Sequence, residues 1–347
     1  MHRFFNRLLP LALACTLATA EAASPELKTV GNKIVVAATG EPVLLRGLNV
    51  PSLEWNPEGQ AFFRLLEGAL DWNANIIRVP VKSKYWFGRE DTKERGADEA
   101  YRWIVDRAIE TAAARGAYVI LDLHHYRAPD QDAVDFWKDA AERYRNNPAV
   151  LFGVFNEAFS TSWDVWLNGG PVEYRDKKAD ETVRYESVGM QALVDTIRGT
   201  GARNIVIVGG LEWAYDLTGV AAGHEIDQRD GHGLVYDAHI YNWKRDWMGK
   251  VMCVADQHPI LVGEWGADHR DIPGTGTTAS TLESPEKWVP AFLGFAQKHG
   301  LHWTAWSFHP RAGPHVIDRY DMIPTPYFGA FVKAALQGEK FDESETR

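Results

Sequence analysis

Residues 99–124 read EAYRWIVDRAIETAAARGAYVILDLH, and this stretch decides how the rest of the chain is read. Trp103, Ile104, Ala108, Ile109, Ala112 and Ala113 recur at three- and four-residue steps, the period of a helix with one apolar face, while Arg102, Asp106, Arg107 and Glu110 look outward. Gly116 stands where a C-cap would end that helix. The run at 118–123 that follows is almost continuously apolar, as expected of a strand covered on both faces.

The same alternation extends in both directions. Apolar runs at 44–50, 76–81, 118–123, 150–155, 205–208, 234–240, 260–263 and 303–308 make eight strands. Between or after them lie helical segments at 61–70, 99–115, 133–145, 185–198, 245–255, 286–299 and 328–336. Two β-rich runs, 27–36 and 43–50, are punctuated by Gly31-Asn32 and Gly40-Glu41-Pro42 and read as a small hairpin leading into the first strand. Eight strands, each followed by a helix-length segment, predict a (β/α)8 TIM barrel with a short N-terminal β-hairpin. The weakest unit lies between Gly209 and Leu234, and a doubly wound open sheet is the alternative.

Composition narrows the function classes. With 347 residues, 45% hydrophobic and 24% charged, the chain can bury a large core and is neither collagen-like nor disordered. A net charge of −10, without any Lys/Arg-rich run, argues against a nucleic-acid partner. Arg3 and Arg7, the apolar run 8–17 and the small residues Ala18, Ala20, Ala22 and Ala23 read as a secretory signal over residues 1–23, leaving one (β/α)8 domain over 24–347 that is expected to be secreted or periplasmic. Lipoprotein anchoring through Cys15 is the lesser reading. No later apolar run is long enough for a membrane span. Cys15 leaves with the signal, so Cys253, read as a small core residue, has no disulfide partner.

In a barrel of this kind the site lies at the C-terminal ends of the strands. The polar residues there are Arg78, His124-His125, Asn156-Glu157, His239, Tyr241, Glu264 and, closing the last strand, Trp306. Glu157 and Glu264 end strands three places apart around the ring and are expected to face each other across its mouth. That pair suits glycoside hydrolysis, in which one carboxyl protonates the leaving oxygen and the other, ionised, attacks the anomeric carbon. Arg78 is expected to favour the ionised form of Glu264, and the charge of Glu264 to favour the protonated form of Glu157. Adjacent strand residues point to opposite faces, so His124 and His125 cannot share a metal ion, and no His-Glu-x-x-His or paired-Cys spacing occurs. His125 reads as a rim or packing residue, Asp122 and Asp237 as partners of backbone or Arg, and Arg46 as part of the barrel floor.

Arg-Val-Pro at 78–80, Leu-Asp-Leu-His at 121–124, Phe-Asn-Glu at 155–157, His-Ile-Tyr at 239–241, Gly-Glu-Trp-Gly at 263–266 and Ala-Trp-Ser at 305–307 together resemble glycoside hydrolase family 5, as does Leu45-Arg46-Gly47-Leu48-Asn49 as a first strand. The resemblance runs from about residue 28 to 335. It implies a retaining enzyme with Glu157 as acid/base and Glu264 as nucleophile, with no metal and no organic cofactor. It further implies that Asn156 binds the sugar 2-hydroxyl, Arg78 and Tyr241 contact the nucleophile, His124 and His239 support the acid/base side, and Trp306 floors the reacting subsite. Ala158 departs from the Pro that many relatives carry there, and a long insertion at 159–183 brings Trp163 and Trp166.

The chain holds 14 Trp, and a pyranose stacks its apolar face on an aromatic ring. Trp55, Trp86, Trp213, Trp243 and Trp265 lie just beyond strand ends, and two or three of them are expected as sugar platforms. Trp72, Trp103, Trp137 and Trp288 fall in helices and are expected in the core. The favoured reading is a monomeric endo-acting β-1,4-glucanase, a cellulase degrading a polysaccharide or oligosaccharide substrate. A β-mannanase, or an exo-acting β-glucosidase or β-1,3-glucanase, shares the same central machinery. A non-catalytic carbohydrate-binding barrel would keep the tryptophans but not both carboxylates.

Overall fold

A computed structural model describes residues 24–89, 97–176, 179–269 and 282–342; the signal segment 1–23 lies outside them. The chain enters through β1 (Leu27–Val30) and β2 (Lys33–Val36), then β3 (Arg46–Asn49), α1 (Phe62–Asp71), β4 (Ile76–Val81), the single turn α2 (Ser83–Trp86), α3 (Ala97–Ala114) and β5 (Tyr118–Leu123). A two-residue β6 (Tyr126–Arg127) precedes α4 (Gln131–Tyr144), β7 (Val150–Gly153), β8 (Glu157–Ala158) and α5 (Trp163–Asn168). Next come β9 (Gly170–Asp176), β10 (Glu181–Ser187), α6 (Gly189–Gly199), β11 (Val206–Gly209), α7 (Leu211–Ala214) and α8 (Thr218–Ala221). The last third holds β12 (Leu234–Tyr241), α9 (Trp247–Lys250), β13 (Ile260–Gly266), α10 (Pro285–His299), β14 (His302–Ala305) and α11 (Gly329–Leu336).

Strands β3, β4, β5, β7, β11, β12, β13 and β14 close into one parallel barrel, which settles the fold against an open sheet. Strands β4 and β5 are buried at every position because the barrel interior covers one face and helices the other. α3 ends as its sequence demands: Gly116 takes φ +70°, a conformation costly for any residue with a Cβ. β1 and β2 pair antiparallel. Leu27 and Ile34 of this hairpin join Leu45, Ile76, Tyr118, Leu151 and Leu261 in a separate apolar cluster that seals the lower end of the barrel. The functional end is therefore the upper one.

The pairing of β12 with β13 carries a bulge. Asp237 lies opposite Leu261, but His239 lies opposite Glu264, so β13 advances three residues while β12 advances two. Gly263 occupies the bulge, and a Cβ there would meet the Asp237 carboxylate at 2.4 Å.

Several expectations need correction. The helix expected over 185–198 starts at Gly189, because Tyr185 belongs to β10, whose hairpin with β9 fills the insertion after the fourth barrel strand. The 245–255 segment is one helical turn followed by a 3-10 turn at Met252–Val254. In that turn Val254 faces inward, so Cys253 is exposed rather than in the core. Trp72, Trp137 and Trp288 are buried, but Trp103 is 57% exposed, at the flank of the α3 stripe beside Phe63.

Candidate active site

Arg78, from β4, is wholly buried and organises the floor of the mouth. Its Nη1 donates to Glu264 Oε1 at 2.7 Å and to Asn49 Oδ1 at 2.9 Å. Its Nη2 donates to Asn156 Oδ1 at 2.6 Å and contacts Asp122 Oδ1 at 2.9 Å. Burial works against this charge, but Asp122 and Glu264 outweigh it and raise the guanidinium above its ordinary value. Asn49 is in turn fixed by donating to the carbonyl of Gly263 at 2.8 Å, the residue before Glu264.

Glu264, on β13, is buried, and burial alone would favour its neutral form. His239, Arg78, His124 and the Tyr241 hydroxyl reverse that and hold its carboxyl below the usual carboxylate range. Tyr241, from the end of β12, donates to Glu264 Oε2 at 2.6 Å. Both oxygens of Glu264 are thus held, one by Arg78 and one by Tyr241.

Glu157, on β8 just past the fourth barrel strand, is only half-buried. Its Oε1 lies 2.9 Å from His239 Nδ1. His239 is fully buried; that disfavours its charge, but Glu264, Asp237 and Glu157 push it up to about 10, so its Nδ1–H donates to Glu157. Nε2 stands 3.4 Å from Asp237 Oδ2. Ligating atoms of Glu157, His239 and Glu264 all lie within 4.8 Å of one another. A cation could meet three donors there, but His239 already carries protons on that side, and Arg78 supplies the positive charge that Glu264 needs.

His124 takes a different place from the one the resemblance implies. Its Nδ1 pairs with Asp122 Oδ2 at 2.8 Å, its Nε2 lies 3.0 Å from the Tyr126 hydroxyl, and its ring lies parallel to Trp306 at 5.6 Å. It therefore braces Trp306 rather than Glu157. Asn156 Nδ2 is buried without a protein partner, as expected of a donor kept for a ligand. His125 packs on Phe155 and meets Ser83 Oγ. Asp122 and Asp237 behave as expected, Asp122 with Arg78 and His124, Asp237 accepting from Gly263 N at 2.7 Å. Arg46 reaches down to the Ala335 carbonyl.

The tryptophans divide. Trp55 is 40% exposed and meets His309 edge-on; Trp213 is 43% exposed and stacks on Phe159 at 4.4 Å; Trp243 stacks on Tyr241 at 4.6 Å. Trp265 is not a platform. It follows Glu264 in a strand, so it faces outward into the helix layer, buried against Phe292, Trp303 and Phe328. Trp86 is buried too, its Nε1 donating to Asp139. Within the insertion, Trp166 is buried and donates to the Gly209 carbonyl. Asn49 was missed as a site residue, although an Asn closing the first strand obeys the rule that found the others.

The model of the family described as Cellulase (glycosyl hydrolase family 5) matches residues 36–312. The chain belongs to glycosyl hydrolase family 5. Among curated relatives in that range of similarity are Endoglucanase C of Evansella cellulosilytica, 27% identical over 334 residues, and Cellulase CelDZ1 of a Thermoanaerobacterium species, 24% identical over 298 residues. These alignments cover 83% and 80% of this chain but 36% and 68% of the relatives, so the chain spans little more than a third of Endoglucanase C. Among solved structures, the β-glucanase SdGluc5_26A of Saccharophagus degradans, in complex with cellotetraose, superposes with a TM-score of 0.71 at 24% identity, covering 94% of this chain and 96% of that one. The catalytic domain of Thermobifida fusca endoglucanase Cel5A gives 0.62 at 20% identity, with 90% and 97% covered. Both share the barrel fold.

Proposed function

We propose that this family 5 chain is a retaining endo-β-1,4-glucanase with Glu264 as nucleophile and Glu157 as acid/base. The observation that carries the reading is the pair itself. One oxygen of each carboxyl comes within 4.8 Å of the other, which suits the carboxyl separation of about 5–5.5 Å of a retaining enzyme better than the roughly 6.5–9.5 Å of an inverting one. Glu264 is kept ionised by Arg78 and Tyr241, as an attacking carboxylate must be. Its oxygen bonds to the anomeric carbon while Glu157 gives its proton to the departing glycosidic oxygen. Glu157, now a base, takes a proton from water, which attacks the same carbon and releases Glu264. Asn156 Nδ2, unpaired and beside Arg78, suits a sugar 2-hydroxyl, and Trp306, braced by His124, suits the floor beneath the reacting ring.

The glucan assignment draws on the relatives' names and on the exposed Trp55 and Trp213. The opening segment with Arg3, Arg7 and the apolar run 8–17 supports export. A polysaccharide panel with product sizes resolved tests the function: carboxymethylcellulose and barley β-glucan are cut to mixed oligosaccharides. Release of reducing sugar from mannan alone would overturn the glucanase reading.

A further inference from the structure

The insertion after the fourth barrel strand has no task in the chemistry above. Its hairpin pairs Val172 with Tyr185 and Tyr174 with Val183, and opposite residues of a ladder share a face, so these four make one buried to half-buried side. On the other side Arg184 and Glu173 pair at 2.8 Å in the open. The covered side lies on residues 127–129, the turn that leaves β6. The Tyr185 hydroxyl donates to the Ala128 carbonyl at 3.0 Å, and the Ser187 hydroxyl to that of Pro129 at 2.8 Å. Val188 N donates to the same Pro129 carbonyl at 2.9 Å. The Tyr174 ring covers the guanidinium of Arg127, whose carbon stands 3.6 Å from the ring centre.

Arg127 also meets a second ring. Its guanidinium lies 4.9 Å from the centre of Phe159, which in turn stacks on Trp213 at 4.4 Å. A planar, weakly hydrated guanidinium rests on aromatic faces at little cost in lost water. Arg127 itself stands at φ 80°, a backbone conformation that a residue with a Cβ keeps only where its surroundings impose it. Arg127 belongs to β6 and Phe159 follows β8, so the stack closes one end of the small sheet that these two strands make. At the other end of that sheet sits Glu157. Tyr126 lies opposite it in the parallel pairing of β6 with β8. Glu157 N donates to the His125 carbonyl at 3.1 Å, and Phe159 N to that of Arg127 at 3.0 Å. Strand β8 is two residues long and outside the closed barrel, so the ladder that fixes Arg78, His239 and Glu264 does not reach Glu157.

We infer that the β9–β10 hairpin is a brace for the acid/base: through Tyr174, Tyr185 and Arg127 it fixes β6, and through β6 the backbone that carries Glu157. The inference rests on the acid/base role proposed for Glu157 and deepens it. All three are positioning residues that act on Glu157 through its backbone. The brace serves one half of the chemistry. Glu264 is held within the barrel, so a loosened hairpin leaves the attacking carboxylate in place and displaces the proton donor, and a displacement of about 1 Å can cost up to about 100-fold in rate.

The test compares two aryl β-cellobiosides: a phenyl one, whose leaving group needs the proton of Glu157, and a 2,4-dinitrophenyl one, whose leaving group departs without it. Tyr174→Leu keeps the apolar bulk and loses the ring face. Its kcat/KM falls about 10-fold further on the phenyl substrate than on the dinitrophenyl one. Tyr174→Phe keeps the face and restores the parent ratio, and Tyr185→Phe, short of one hydroxyl, widens it about 3-fold. In Glu157→Ala protein, Tyr174→Leu adds no further widening, because its effect passes through the missing carboxyl. Melting temperatures accompany each variant. Equal losses on both substrates, or a raised KM on long glucan with a ratio within twofold of the parent, overturn the inference. Should Tyr174→Leu fail to fold, Arg127→Met carries the same criterion. If wild-type protein cleaves neither cellobioside, or Glu157→Ala itself leaves the ratio as it was, the acid/base reading falls and takes the brace with it. A ratio widened by Glu157→Ala but not by the hairpin variants removes the brace alone.

Discussion

Arg78 and Glu264 meet at 2.7 Å from strands that are separated by two others in the ring, and this contact joins the barrel floor to the chemistry. The same guanidinium also holds Asp122 and Asn156, so one side chain sets both the charge and the geometry of the site. Replacing it by Met strands two buried carboxylates. Arg78→Met is expected to destabilise the fold by about 3–5 kcal/mol, read as a lowered denaturation midpoint. Arg78→Lys keeps the charge but not the fork, and is expected to fold while losing most activity. Wild-type stability in the Met variant would contradict this account.

The two carboxylates should fail differently. Glu264→Ala abolishes turnover of glucan, and added azide restores part of it by attacking the vacated face, giving a glycosyl azide of inverted configuration. Glu157→Ala lowers glucan hydrolysis about 10²–10⁴-fold but spares aryl glycosides whose leaving group needs no proton. Product analysis by NMR separates the cases, and an unrescuable, equal loss in both variants counts against the assigned roles.

His239 supplies a pH signature. Its folded value of about 10 lies above the ordinary histidine value of about 6.5. The native state therefore binds the extra proton. The stability this gives is fully present below about pH 6.5 and is lost as pH rises through about 10. Melting temperature should fall across that window, and His239→Asn should flatten the fall. An unchanged slope in the variant would show that the imidazolium is not its source.

Trp213 and Trp265 should separate binding from folding. Trp213→Ala, at an exposed stacked ring, is expected to raise KM on long glucan chains about 3- to 10-fold with little change in melting temperature. Trp265→Ala, in the helix layer, costs about 3–5 kcal/mol of stability. Thermal scans beside steady-state kinetics on both variants decide it.

That contrast shows what was legible in the sequence. The barrel was readable because its strands are buried on both faces and so appear as uninterrupted apolar runs, and Arg78, Asn156, Glu157, His239, Tyr241 and Glu264 because polar groups closing such runs have few other uses. Trp265 misled because strand-end position was weighed without parity: an inward Glu264 sends its neighbour outward. The β9–β10 hairpin passed for a loop and a helix start, although Val172 and Tyr174 alternate with polar residues and pair with Tyr185 and Val183. Its faces are mostly wet, so its apolar signal is thin.

The bulge at Gly263 limits how this chain can vary. Were the ladder with β12 to run in step with every residue of β13 kept, Gly263 would stand opposite His239 and the Glu264 carboxylate would turn out toward the helices. The extra residue is therefore what turns the acid inward, and because a Cβ at Gly263 would run into the oxygens of Asp237, no other side chain can take its place.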